Sequence, residues 1–530
     1  MSVDPISMTI FHRRITGIAE EMALVLRKTA YSPNIKERAD FSCAIYDGEG
    51  RSIAQAEAIP VHLGSMPFVA KPVIELFKGA WQDGDAIVTN SPRPGFGGTH
   101  LPDITLLAPV FENGILTHVV ANRAHHADVG GMTPGSLPAN STEIFQEGLI
   151  IPPVRLFIAG KENPDVMNMI MENVRTPYER RGDLRAQYSS LMLGVMRLKE
   201  LKTSNFSNVD QIQDELLKQS ELAVKQKLKE LPQSSATYVD YLDNDGVSPD
   251  PVKIQCTITI ANEKIEFDFQ GTDMESQGNC NAPFSVTQSA CFYIVRLLIG
   301  TDIPTNEGCF RLVVIKAPTN CVVNPSSNAA TSSANTETSS RIVDVLMGAM
   351  VQIIPWPSAS QGTMNNLLIG GYVNGIGWSI YETIGGGTGG GPEGAGISAI
   401  QSHMTNTQNT PVEALELSYP LRVREYSIRK NSGGKGKFPG GDGIIREIEL
   451  LSQATVTLQS ERRKFNPWGQ GSTKGVNAEK GRNLIYTSSD NNNERVEYQE
   501  IGSRVTFYNL PPNSRVRILT PGGGAFGDEP

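Results

Sequence analysis

Two short stretches of the chain carry the residue types that hold metal ions: Gly98-Thr-His100-Leu-Pro-Asp103 and Asn122-Arg-Ala-His125-His126-Ala-Asp128. The chain has only seven histidines, and four of them fall between positions 100 and 126. His100 and Asp103 are three apart in a segment bent by Pro102, so their side chains can share one centre. His125 would complete a face of two imidazoles and one carboxylate, a donor set that suits Mn, Zn, Fe or Co. Three protein ligands leave coordination positions open to water or substrate, which is the arrangement of metal-assisted hydrolysis. Asp40 is a candidate fourth ligand that would have to arrive by a tertiary contact. His126 and Asp128 are the candidate catalytic pair, able to orient ligands or move protons. His62 and His118 read as ordinary histidines.

Three stretches of small polar residues lie between apolar segments and are candidate pocket walls. They are Asp268–Asp273 running on to Gly278-Asn279-Cys280-Asn281, Asn335-Thr-Glu-Thr-Ser-Ser340, and His403-Met-Thr-Asn-Thr-Gln-Asn-Thr. Asn279, Asn281, Asn335 and His403 are the substrate-binding candidates, because carboxamides and imidazoles both donate to and accept from an amide. The alternative for each is turn chemistry.

These residues need elements to position them. Residues 85–90, 104–111 and 117–122 read as strands, and Asn113-Gly114 is a strong hairpin turn between the last two. Residues 39–47 read as a further strand and 5–30 as an amphipathic helix. Asp4 caps that helix, and Phe11, Ile15, Ile18, Met22 and Val25 face the core. Residues 165–231 carry apolar side chains at helical spacing, whereas 252–269 alternate as a half-buried hairpin. A helix is expected at 286–300, strands at 311–323, and a β-rich region from about 420 to 520. The fold class expected is α+β: antiparallel sheets, a helical middle segment and a β-rich C-terminal part, divided as 1–235, 236–410 and 411–530.

Composition excludes several classes. Hydrophobic residues are 39% and charged residues 19%, which is globular, and 530 residues exceed one ordinary core. A net charge of −9 without a basic run argues against nucleic acid or anionic membrane as partner. No apolar run reaches the roughly 20 residues of a membrane span, and residues 1–5 lack a leader pattern. Six cysteines without a Cys-x-x-Cys pair fit a reduced cytoplasmic compartment. No Gly-x-x-x-x-Gly-Lys-[Ser/Thr] occurs, so any ATP step belongs to another subunit. The run Gly385-Gly-Gly-Thr-Gly-Gly390 lacks the strand and helix of a dinucleotide site; it reads as a mobile loop or a close approach to another chain.

Taken together, the sequence resembles the hydantoinase B/oxoprolinase family, which includes the B subunit of N-methylhydantoinase, the second half of 5-oxoprolinase and the acetone carboxylase alpha subunit. The resemblance rests on Asn34-Ile-Lys-Glu-Arg-Ala-Asp40-Phe-Ser-Cys, Pro60-Val-His-Leu-Gly-Ser-Met66, the two histidine stretches, Gly278-Asn-Cys-Asn281, His403-Met-Thr-Asn-Thr, Ser432-Gly-Gly and Thr520-Pro-Gly-Gly-Gly-Ala-Phe-Gly. It implies a metal at His100, Asp103 and His125 with Asp40 nearby. It also implies a hydantoinase A-like ATPase partner in a hetero-oligomer and a small cyclic amide substrate. In that scheme the partner phosphorylates the carbonyl oxygen of a lactam or hydantoin, removing its resonance protection, and the ring is then opened by water. A ketone carboxylase component and a non-catalytic scaffold are the competing expectations.

Overall fold

The computed structural model describes residues 4–56, 59–203, 208–300, 302–488 and 497–529. The first helix, α1 (Pro5–Thr29), begins where the Asp4 carboxylate accepts from the Ile6 and Ser7 N–H groups, with proline in its first turn. Phe11, Ile15, Ile18 and Met22 are buried as expected, but the stripe continues through Leu26, and Val25 is only half-buried. At about 100° per residue the core-facing position after Met22 is i+4, not i+3. A short turn of helix, α2 (Pro33–Lys36), follows.

The N-terminal core is one antiparallel sheet of seven strands: β1 (Phe41–Asp47), β2 (Ser52–Gln55), β3 (Ala86–Thr89), β4 (Asp103–Glu112), β5 (Ile115–His125), β6 (Val154–Ile158) and β7 (Lys161–Glu162), in the order β2-β1-β5-β4-β3-β6-β7. Asn113 and Gly114 both take positive φ, 49° and 79°, as the β4–β5 turn requires. Apolar residues alternate between the two faces. Cys43, Ile45, Leu106 and Val120 pack with α1 and the Pro177–Thr203 helix; Ala44, Tyr46, Leu107 and Val119 pack with Met66, Val69 and Val73. Both faces are therefore covered, and every residue of β1 is buried. Gly194 lets the 177–203 helix close on α1, because a Cβ there would sit 2.4 Å from Met22 Sδ.

Beyond residue 230 the chain builds three more sheets. Ser234–Leu242, Val252–Ala261, Lys264–Asp268 and Val313–Lys316 form a four-stranded sheet, its last pair parallel, under the Phe284–Ile299 and Ser339–Met350 helices. The strands expected over 311–323 reduce to Val313–Lys316, since Pro318 and the turn at Asn320 end the ladder. The Asn366–Val373/Ile376–Glu382 hairpin pairs with Ala454–Gln459 and Arg504–Leu510. Five strands between Leu421 and Leu519 complete a shared C-terminal core. The architecture is thus mixed α+β with several antiparallel sheets.

The glycine-dense run at 385–391 is no mobile loop. It lies against two other glycine-rich segments of the same chain, 432–443 and 520–527. Gly387 N donates to Pro521 O, Gly441 N to Thr388 O, Gly523 N to Gly441 O and Gly390 N to Gly524 O, all at 2.8–3.1 Å. Side chains cannot enter: a Cβ on Gly440 would lie 1.7 Å from Gly523 O, and one on Gly387 1.8 Å from Gly441 O.

Candidate metal centre

Asp103 opens β4 and His125 closes β5, and the hairpin register puts them directly opposite each other. Side chains alternate along a strand, so Ser42, Asp103, Thr105, Arg123 and His125 share the face that meets the Pro60–Ser65 helix. His100 joins from the loop before β4, which Asn90 pins by donating to Leu101 O and Leu149 O at 2.8 and 2.9 Å. Ligand atoms of His100, Asp103 and His125 lie within 4.8 Å of one another, and all three residues are buried. The His100 and His125 rings are 5.0 Å apart, edge to face.

The surrounding shell fixes each group. Asp103 Oδ2 accepts from Thr99 Oγ1 at 2.5 Å and Asn335 Nδ2 at 2.9 Å, and lies 3.3 Å from His100 Nε2. Asp103 Oδ1 lies 3.3 Å from His62 Nε2, while His62 Nδ1 is 3.1 Å from Ser42 Oγ. His100 Nδ1 faces the Ser332 carbonyl at 3.4 Å, which leaves Nε2 as the lone-pair nitrogen. His125 stacks on Tyr381 at 4.5 Å, and its Nδ1 is 3.3 Å from Asn34 Nδ2. Asn335 sits in the π-helical turn Ala334–Thr338, an irregularity that recurs at functional sites.

Electrostatics fit cation capture. Burial would raise the Asp103 carboxyl, but His100 and His62 outweigh it and hold the group well below the usual carboxylate range, hence ionised. Burial, reinforced by His100, holds His125 well below the usual imidazole value, hence neutral with a lone pair to give. Burial also opposes charge on His100, yet Asp103 prevails and raises it. His125 Nε2 and Asn335 Oδ1 are buried without a hydrogen-bond partner, and Asp103 Oδ1 has only the His62 imidazole beside it. Unpartnered polar atoms at a buried two-nitrogen, one-carboxylate cluster fit a divalent cation.

The remaining candidates scatter. Asp40 is close enough to influence His62, Asp103 and His100, but it stands outside the 4.8 Å group. Its carboxyl, raised by burial against the pull of Arg38, lies 3.8 Å from Arg38 Nη2. His126 follows His125 by one residue and so faces the other side of the sheet, where Nε2 meets Gln187 Oε1 at 3.0 Å; burial, helped by Arg180, pulls it down to about 4. Asp128 accepts from the Gly130, Gly135 and Arg175 N–H groups and from Arg175 Nη1. Asn335 is at the centre. Asn279 donates to Pro138 O, and Asn281 donates to Ser276 O, Gly278 O and Ala330 O; both order loops. His403, at φ 59°, meets Tyr293 Oη through Nδ1 at 3.4 Å. Sequence reasoning missed His62, Asn34 and Tyr381 at the centre, although Asn34 and His62 lie inside the stretches that carried the resemblance.

The fold and the cluster define a class. The chain belongs to the Hydantoinase B/oxoprolinase family, which it matches over residues 4–529. Among particular proteins it is similar to the 5-oxoprolinase of Dictyostelium discoideum, 39% identical over 539 residues. That match takes in 99% of this chain but 40% of the relative, so the chain spans about two fifths of that protein's length. The ATP-dependent caprolactamase from Pseudomonas jessenii superposes with a TM-score of 0.90 at 26% identity, covering 100% of this chain and 93% of that one. Nucleotide-free acetone carboxylase shares the fold, with a TM-score of 0.88 at 18% identity over 99% of this chain and 76% of that one.

Proposed function

We propose that this chain is the metal-dependent subunit of an ATP-dependent cyclic amidohydrolase. It would open a lactam or hydantoin ring, of the 5-oxoproline or N-methylhydantoin type, after a hydantoinase A-like ATPase has phosphorylated the ring carbonyl. The observation that carries this reading is the buried His100–Asp103–His125 cluster with the unpartnered Nε2 of His125, in a chain of this family. A caprolactam ring is a cyclic amide, and the similarity to caprolactamase supports that substrate class.

His100, Asp103 and His125 would hold the cation, and a divalent ion there would lower the pKa of a bound water and polarise a carbonyl oxygen. The chain's own residues do the positioning. Thr99, Asn335 and His62 hold both oxygens of Asp103, the Ser332 carbonyl fixes the His100 tautomer, and Asn34 and Tyr381 hold the His125 ring. Burial keeps bulk water off an activated ring until the site is filled.

The test is coexpression with the ATPase partner and assay of 5-oxoproline, hydantoin and caprolactam with ATP. Ring opening coupled to phosphate release, lost in His100→Ala, is the expected result. Phosphate release that instead requires acetone and bicarbonate would favour the carboxylase reading. A complex without metal that is indifferent to His100→Ala would leave only a scaffold.

A further inference from the structure

Beside the metal centre lies a buried guanidinium without a close counter-charge. Arg38 is 0% exposed, and its nearest carboxylate oxygen among the described residues, Asp40 Oδ2, stands at 3.8 Å, outside hydrogen-bond range. Other buried arginines have a carboxylate in contact: Arg180, Arg446 and Arg504 at 2.9 Å, Arg462 at 2.7 Å from Asp240, and Arg341 at 3.0 Å. Arg123 is the other exception, but it gives Nε, Nη1 and Nη2 to Thr105 Oγ1, Ser65 Oγ and Gly97 O. A buried cation strongly favours a paired anion.

The surroundings of Arg38 are those of an oxyanion site. Its Nη1 donates to the Tyr381 carbonyl at 2.7 Å and to Asn34 Oδ1 at 3.3 Å, its Nε is buried without a partner, and Asn34 Nδ2 in turn reaches His125, so two contacts separate it from a proposed metal ligand. Its guanidinium carbon lies 4.5 Å from the centroid of Tyr381, the ring that also stacks on His125. Its Nη2 meets Thr383 Oγ1 at 3.2 Å, and Thr383 Oγ1 is 2.6 Å from Thr407 Oγ1. Gln401 Nε2 donates to the same Thr383 hydroxyl at 3.0 Å, while Gln401 Oε1 is buried without a partner. Thr407, in the threonine-rich stretch after His403, thus stands one hydroxyl contact away from the threonine that Arg38 meets.

We propose that Arg38, Thr383 and Thr407 form an oxyanion subsite that holds the anionic group of the ring substrate beside the metal centre. The subsite deepens the amidohydrolase reading and rests on it for the identity of the ligand. Two sources share the chemistry: a carboxylate carried by the ring, as in 5-oxoproline, or a phosphoryl group placed on the ring carbonyl. A planar guanidinium suits both, through paired N–H donors.

The test is calorimetric binding to the full chain in EDTA, which needs neither metal nor turnover. The probes are inorganic phosphate, 5-oxoproline and the uncharged 2-pyrrolidone. Phosphate or 5-oxoproline should bind, 2-pyrrolidone at least tenfold more weakly, and which anion binds tighter tells the phosphoryl source from the carboxylate source. Arg38→Gln and Thr407→Val should each weaken anion binding about tenfold or more. Thr407→Val keeps the test valid if Arg38→Gln does not fold. Equal affinity for the neutral lactam, or folded variants that bind the anions as tightly as the parent, would overturn the subsite. Anion binding that persists in a protein without ring-opening activity would instead sink the amidohydrolase reading and leave the subsite standing.

Discussion

Metal binding to the His100–Asp103–His125 cluster should be readable as heat stability, because a ligand that binds only the folded chain stabilises it by RT ln(1 + [L]/Kd). At a free metal concentration a hundredfold above Kd this is about 2.7 kcal/mol. Unfolding entropy of about 2.1 cal/mol/K per residue over 530 residues is roughly 1.1 kcal/mol/K, so the midpoint should rise by about 2–3 °C. The assay strips the protein with EDTA, adds back Mn, Zn, Fe(II) or Co in turn, and follows unfolding by scanning calorimetry. His125→Ala removes the imidazole whose Nε2 is unpartnered and should abolish the shift. Asn335→Ala removes a donor to Asp103 that also lies 3.3 Å from His100 Nε2, but none of the three ligands. It should weaken affinity about 10–100-fold, or roughly 1.4–2.7 kcal/mol, and so shrink the shift at fixed metal. An equal shift in His125→Ala and parent protein would refute the assignment.

Other consequences can be checked separately. Burial pushes the Glu147 carboxyl up to about 7, against hydrogen bonds from Ser141, Thr331 and Ser332. A carboxyl raised in the folded state stabilises fully below its ordinary value of 4.5 and loses that contribution as pH rises through about 7. Glu147→Gln should therefore remove a decline on the order of a few kcal/mol between about pH 5 and 8, measured by urea unfolding; parallel curves for the two proteins would contradict it. Gly440→Ala should cost at least about 1–3 kcal/mol by overpacking, whereas Gly394→Ala, with nothing within 4 Å of its Cβ, should stay within about 0.5 kcal/mol; denaturant midpoints decide. Asp128→Asn should lower stability by about 1.5–3 kcal/mol through its charge-assisted bonds with Arg175 and leave metal affinity within about twofold, as titration of the metal will show.

How much of this was legible in the residues follows from the range of each signal. Asn113-Gly114 fixed the turn, and the turn fixed the register that sets Asp103 against His125. That local chain of inference needs no tertiary knowledge. The same strand geometry sends His126 to the opposite face, which strict alternation from His125 would have indicated. His62, by contrast, looked ordinary because its partner Asp103 is 41 positions away and only the packing of the 60–65 helix joins them. Asn335 stood out through the polar stretch it begins, whereas Asn34 and Tyr381 reach His125 from two further elements by contacts that no local pattern shows. The glycine run at 385–391 was misjudged for a related reason: its partners are other glycines far along the chain, and a glycine carries no side chain to advertise them.

The triple meeting of glycine segments also constrains the order of biosynthesis. Thr520 Oγ1 donates to the Gly385 carbonyl across 135 residues, and Gly523 and Gly524 bond to the Gly441 and Ala359 carbonyls. Backbone groups near Gly385 and Gly441 therefore stay hydrated while the ribosome makes the intervening chain, and they are sealed only once residues 520–527 emerge. The N-terminal sheet, whose strands all lie before residue 163, has no such dependence and can be assembled while translation continues.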